Sequence, residues 1–192
     1  MTSTAPRPVA EPTVGTPTFE PPVPQLDLIT RFSVELADEP WQLGRTTNLG
    51  NRRIIPITGG HFRGPLLRGE ILNNGADWQV VTAEGTTVVD TRYLLRTHDD
   101  SLVYLRTYGF RHGPPEVLAE LADGRIVEPN RYYFRINLQF ETAADNYQWL
   151  NNVIAVGSAI RLPHRATPRP CRWGSRRGSG CMRGRVRPTT AR

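Results

Sequence analysis

From Leu26 onward, the chain consists of short apolar or alternating runs separated by turn residues about every ten positions. This spacing is typical of an all-β sandwich or barrel, and helical periodicity is scarce. A loop is expected between 38 and 50, and 116–121 is the one plausible helical turn. Strands are predicted over 26–36, 52–60, 64–81 (as a pair), 86–97, 101–110, 132–142 and 149–161.

The short links between these strands predict an antiparallel meander. Pro56 interrupts the second strand, which indicates an edge, a bulge or a strand start, and Gly59 and Gly60 are expected to bend the chain. About eight strands with no long helix to cover them favour closure into a single antiparallel β-barrel, because closure removes exposed edges. A sandwich is the alternative.

Composition divides the chain into three parts. Residues 1–25 hold seven of the 17 prolines and few large apolar side chains, so a disordered Pro-rich leader is predicted there. The β-barrel domain is predicted over 26–162, and an Arg-rich disordered tail over 163–192. Nine arginines and no Asp or Glu lie between 165 and 192, which leaves 15 basic against 18 acidic residues elsewhere. The net charge of +6 therefore comes from the tail.

Cysteine usage and hydropathy predict a soluble, cytoplasmic protein without a membrane partner. Cys171 and Cys181 both lie in the predicted tail, so no disulfide framework is implied for the barrel. The N-terminus lacks an apolar segment of signal-peptide length, and no run is long enough to span a bilayer.

The sequence contains none of the common catalytic or metal-binding signatures. No nucleophile elbow, Walker loop or dinucleotide-binding glycine motif is present, and the histidines are not spaced as metal ligands. No metal or cofactor is expected, and catalytic residues are not identified. The residue types best suited to proton transfer or anion stabilisation are Asp77, Tyr93, Tyr104, Arg135 and Glu141.

Two predicted strands carry unusual faces. Over 132–141, apolar and polar residues alternate, so the polar row either faces water or lines a wet cavity with Arg135 and Glu141 toward a ligand. Over 101–110, Arg106 shares a face with aromatic residues that include Tyr104. A guanidinium in such surroundings needs an anion or a carboxylate, so either a structural ion pair or a ligand contact is expected.

Three stretches, 50–81, 90–109 and 132–157, resemble the bacterial and fungal family called domain of unknown function 3237, also catalogued as uncharacterised protein family 0311. The resemblance rests on blocks in the family's order: Gly-Gly-x-Phe-x-Gly-Pro, Gly-Ala-Asp-Trp-Gln, Phe-Glu-Thr and Tyr-x-Trp-Leu-Asn. It implies a small closed or nearly closed β-barrel with an internal cavity, and no established reaction.

The resemblance also implies a set of signature positions. They are Arg52, Gly59, Gly60, Gly64, Pro65, Asp77, Trp78, Tyr93, Phe140, Glu141, Thr142, Tyr147, Trp149, Leu150 and Asn151. The glycines and Pro65 are explained by backbone geometry. Together with the two strand faces, the signature predicts a ligand-binding set of Arg52, Asp77, Trp78, Tyr93, Tyr104, Arg135, Glu141, Trp149 and Asn151.

At its end the chain departs from this resemblance. The resemblance implies one more alternating strand after the Val-Gly block, and the chain lacks such a pattern there. The tail is instead rich in Arg, Gly, Ser and Pro, which suggests a frameshift product and a barrel that lacks its final strand. The minor alternative is a nucleic-acid-binding extension. The favoured function is a small-molecule-binding barrel, an accessory enzyme of the cyclase or isomerase type. A non-catalytic module that self-associates into a homo-oligomer is the alternative.

Overall fold

The computed structural model describes residues 20–162 of the chain, except the side chain of Thr47. The predictions for the tail, and for most of the leader, therefore lie outside the described residues. The strands are β1 (Arg31–Leu36), β2 (Trp41–Thr47), β3 (Gly50–Arg63), β4 (Arg68–Ile71), β5 (Gly75–Val81), β6 (Thr87–Thr97), β7 (Leu102–His112), β8 (Tyr133–Glu141) and β9 (Ala155–Ser158). Helix α1 (Pro115–Ala122) follows β7, and 3₁₀ helices span Pro129–Arg131 and Asp145–Asn152.

All nine strands form one antiparallel, barrel-like sheet, which confirms the predicted fold. The long strand β3 pairs with β1 and β2 on one side and with β4 and β5 on the other. Strand β6 then pairs with both β4 and β5, and β7, β8 and β9 follow in chain order. Within residues 20–162, β1 pairs with β3 alone and β9 with β8 alone.

Pro56 lies inside β3, paired in regular register with Ala76 of β5, and neither at an edge nor at a strand start; the register of β3 against β1 shifts just beyond it, between Ile57 and Gly59. Its carbonyl accepts a hydrogen bond from the Ala37 amide, at 2.9 Å, in the gap between β1 and β2. The amide and carbonyl of one strand residue point to the same side. The proton that proline lacks would therefore point into this gap, where no ladder partner needs it.

Three sequence predictions at strand level are wrong. Strands β4 and β5, predicted over 64–81 as a hairpin within a meander, are not paired with each other in the described sheet, because each pairs with β3 and β6. The segment 41–47 is strand β2 rather than a loop, and its alternation is obscured by a register shift at Gly44, whose φ is +77°. The strand predicted over 149–161 is reduced to β9, because 145–152 forms a 3₁₀ helix. That helix buries Tyr147 and Leu150, three residues apart, as its three-residue repeat requires.

The inner face of the sheet holds the main hydrophobic core. Alternate residues point inward, so Leu138 and Phe140 of β8 pack beside Val103 and Leu105 of β7. A second cluster forms where α1 packs against the chain before β8, through Val117, Leu121, Val127 and Tyr132. In the described part of the chain, no helix is both long and apolar enough to cross a membrane.

A polar cluster on the inner wall as the candidate functional site

The inner wall changes from apolar to polar toward the end where α1 follows β7. The strand register places Asp77 beside Ile55 on one side and beside Thr91 on the other, and Thr91 lies opposite Thr107. All of these side chains point to the inner face. Because residues alternate between faces along a strand, further polar residues of β5, β6 and β7 point the same way. We define the inner polar cluster as Arg53, Asp77, Gln79, Thr87, Thr91, Thr107 and Arg111.

Hydrogen bonds through Gln79 connect Asp77, the acidic residue of this cluster, to the basic residue Arg53. The amide of Gln79 donates to a carboxylate oxygen of Asp77, and its carbonyl oxygen accepts from Nε of Arg53 at 2.9 Å. The other Asp77 oxygen accepts from the backbone amide of Asp90 at 3.2 Å. Gln79 is 4% exposed, so these contacts fix it between Arg53 and Asp77.

Asp77 is the residue of this cluster with a perturbed acidity close to neutral pH. Its side chain is 5% exposed, and burial raises the pKa of Asp77 from 3.8 to about 6. The hydrogen bonds from Gln79 and Asp90 and the charges of Arg53 and Arg111 oppose this rise without cancelling it. Around pH 6 the carboxyl is therefore populated in both protonation states, as a proton-transfer group requires.

Arg111 brings a second positive charge to the inner wall. It is 9% exposed, donates to the Thr87 hydroxyl at 3.1 Å, and lies 5.8 Å from the centre of the Phe134 ring. Burial, followed by the charges of Arg161 and Arg53, lowers the pKa of Arg111 to about 10. The guanidinium thus stays charged at neutral pH in a low-dielectric site.

Tyr93 lies on the same wall, opposite Leu105. It is 5% exposed, and burial together with the Asp77 charge raises the pKa of Tyr93. Tyr93 therefore keeps its proton at neutral pH. Asp77 and Tyr93 are the two members of the predicted ligand-binding set that the structure places on the inner wall.

Two other members of that set, Arg52 and Trp78, lie on the outer face. Arg52 donates from Nη1 to the Trp78 carbonyl at 2.6 Å, and the Arg92 guanidinium lies 5.5 Å from the centre of the Trp78 ring. Arg92 is also 3.3 Å from Asp90, which lies 3.5 Å from Nε of Arg106. Arg106 therefore has a structural ion-pair partner on the outside.

The remaining members of β7 and β8 also face outward. Tyr104 lies opposite Glu141 in the ladder, and Arg135 extends over the Tyr133 ring at 5.4 Å. Glu141 and Arg135 are exposed. The polar row of β8 therefore faces away from the interior, as one of the two interpretations of its alternation held.

Trp149 and Asn151 lie on the 3₁₀ helix before β9. Trp149 is 38% exposed. The Asn151 side chain accepts from the Thr142 amide and donates to the Thr142 carbonyl, both at 2.9 Å. This bidentate contact fastens the helix to the end of β8, so the described role of Asn151 is structural.

Sequence reasoning missed Arg53, Gln79, Arg111 and the three threonines of the inner polar cluster. A signal for Arg53 existed, since it has the same parity along β3 as Ile55 and Ile57. Arg111 has the parity of Val103 and Leu105, but the predicted strand ended one residue before it. The pattern that indicates this wall is thus a charged residue on the same strand face as buried apolar residues.

Other parts of the described surface offer less chemistry. Two grooves open around Gly64 and Pro65, and no residue of the inner polar cluster lines either of them. Within residues 20–162, no three His, Cys, Asp or Glu side chains converge as metal ligands would.

The fold and the inner polar cluster together define an antiparallel β-barrel with a charged inner wall. The chain belongs to the family described as "Protein of unknown function (DUF3237)", whose family model matches residues 24–169. This confirms the resemblance found in the sequence.

Individual relatives agree with this assignment. A crystal structure of a β-barrel-like protein from Acinetobacter baumannii is 54% identical, with a TM-score of 0.67, and the match covers 76% of this chain and 92% of that one. A UPF0311 protein of Rhodopseudomonas palustris is 42% identical over 112 residues, which are 58% of this chain and 73% of the relative. The hydroalkoxylation enzyme phnH of Penicillium herquei is 24% identical over 142 residues, 74% of this chain and 78% of that protein.

Proposed function

We propose that the barrel binds a small organic molecule against the inner polar cluster and that Asp77 transfers a proton to or from it. The observation that carries the proposal is the carboxyl of Asp77, 5% exposed, with a pKa raised to about 6. Perturbed acids on the inner surface of a fold are typical of functional sites. Gln79 donates a hydrogen bond to this carboxyl, which supports the proposal because a proton-transfer group has to be held in a fixed orientation.

Proton transfer is also the chemistry that a cyclase or isomerase needs. Hydroalkoxylation, the reaction in the name of the Penicillium herquei relative, adds an O–H bond across a carbon–carbon double bond. The O–H bond and the π bond break while a C–O and a C–H bond form, so the reaction needs an acid and a base but neither an oxidant nor a reductant. A single carboxyl that changes protonation state near neutral pH can serve both steps in turn. This fits an accessory enzyme acting on an organic metabolite.

Native mass spectrometry of the full-length protein as purified tests the proposal. We expect a co-purified small molecule whose occupancy falls in Asp77→Asn, because the substitution removes the only carboxyl of the inner polar cluster. Glu141→Gln is the matched control, since it makes the same chemical change on the outer face. Once the bound molecule is identified, its turnover should follow the titration of a group with a pKa of about 6. Equal effects of the two substitutions would contradict the assignment.

A second candidate function is self-association through the edge of β9 that has no partner strand within residues 20–162. Strand β9 pairs with β8 alone within the described range, and Ile154 and Val156 are 95% and 61% exposed beside that edge. An unpaired edge with apolar neighbours is a template for a second copy. Light scattering after size exclusion should then show a dimer that Val156→Lys converts to a monomer. A monomeric wild-type chain would exclude this function.

A further inference from the structure

We propose that the molecule bound beside Asp77 carries an anionic head group, a carboxylate or a phosphate, and that Arg53 and Arg111 bind it. The inference rests on the proposed function, since it names the substrate class of the same site. It starts from an imbalance of charge. Two guanidinium groups belong to the inner polar cluster, and Asp77 is its only carboxylate.

A third arginine increases the imbalance. Arg161 follows β9, and its backbone amide donates to the Tyr132 hydroxyl at 3.0 Å. Its charge acts on both Arg53 and Arg111 and, together with burial, lowers the pKa of each. In the described part of the chain, Asp77 is the carboxylate whose charge acts on both of these arginines in the opposite sense. The positive charges are therefore only partly neutralised by the protein itself.

The hydrogen bonds of Arg111 are also incomplete. One terminal nitrogen donates to Thr87, but Nε is buried and has no hydrogen-bond acceptor among residues 20–162. Leaving a buried donor of a charged group without an acceptor is costly. A site with such a donor, on a side chain that is more than nine-tenths buried, is adapted to an acceptor that a bound ligand supplies.

Arg53 shows a complementary arrangement. Its Nε donates to Gln79, and that contact leaves the two terminal nitrogens available to another acceptor. The planar guanidinium matches the spacing of oxygens in a carboxylate or phosphate, which it binds through two parallel hydrogen bonds. Because Gln79 links Arg53 to Asp77, an anion on Arg53 would hold the rest of the molecule next to the acid.

The test compares charged and neutral probes of the same shape. Isothermal titration of the full chain at pH 7 with benzoate, phenyl phosphate and benzamide should show at least one anion bound about tenfold to a hundredfold more tightly than the amide. The tighter of the two anions identifies the head group. Arg111→Gln and Arg53→Gln should each reduce this preference. The matched control is Arg96→Gln, which changes an outer-face arginine with a 45% exposed side chain and should keep the preference.

The outcomes separate this inference from the proposed function. If benzamide binds as tightly as both anions, or if Arg96→Gln matches the inner substitutions, the anion site is refuted while proton transfer by Asp77 is untouched. If Asp77→Asn leaves the turnover of the co-purified molecule unchanged but the anion preference persists, the proposed chemistry fails and the anion site stands. Circular dichroism of each variant verifies that the substitution leaves the sheet folded.

Discussion

Asp77→Asn should change how the stability of the protein depends on pH, and the sign follows from the structure. Burial raises the folded-state pKa of this carboxyl from 3.8 to about 6, so the folded protein holds the proton more tightly than the unfolded chain does. The protonated Asp77 carboxyl therefore contributes its full stability below the unfolded-state pKa of 3.8, and this contribution is lost as the pH rises through the folded-state pKa of about 6. The difference between these pKa values corresponds to a loss of about 3 kcal/mol.

The assay is urea unfolding of wild type and Asp77→Asn at several pH values from 4 to 8. We expect the unfolding free energy of the variant, relative to wild type, to rise by about 2 kcal/mol across this range, because asparagine cannot ionise and the unfolded-state carboxyl is already partly ionised at pH 4. Taking the difference cancels the carboxyl groups that both proteins share. Asp99→Asn is the control: hydrogen bonds from Thr97 and Tyr147 lower the pKa of Asp99, so this carboxyl stays ionised from pH 4 to 8 and its difference from wild type should be nearly flat. A difference for Asp77→Asn that is flat or falls with pH would refute the buried-acid reasoning.

Two further predictions concern the sheet itself. Phe62→Ala should lower the free energy of unfolding in urea by about 3–5 kcal/mol, because Phe62 is 1% exposed in the core. Leu102→Ala, at a half-exposed position, should lower it far less. Similar losses for the two variants would mean that the core lies elsewhere. Gly60→Ala should lower the melting temperature, because φ is +132° there and the added Cβ would lie 2.1 Å from the Ser33 carbonyl oxygen; an unchanged melting temperature would show that β1 can move away.

The sequence predicted the barrel and most of its strands because those signals are local. Turn residues separate the strands, and alternation along β8 correctly placed Phe134, Ile136, Leu138 and Phe140 on one face. These features depend on a few neighbouring residues, so a single sequence contains them.

The inner wall was harder to predict because part of it is polar, whereas buried strand faces are usually apolar. On β7, the outward face holds Tyr104, Tyr108 and Phe110, whereas the inward face holds Thr107 and Arg111. Because the inward face also holds Val103 and Leu105, hydrophobicity alone does not identify the buried face of this strand. Which face is buried is settled by the register with β6 and β8, and that register joins residues tens of positions apart.

The arrangement of β3 has a consequence for the order in which the protein folds. Strands β6 and β7 are joined by a tight turn at 98–101, so their hairpin closes a short loop and can form early. By contrast, β3 needs four partners, and its pairs join residues such as Arg31 with Arg63 and Asn51 with Val81. Such pairs close longer loops, and formation of non-local contacts slows folding. We therefore expect the hairpin of β6 and β7 to act as the nucleus, with β3 docking later as the rate-limiting event.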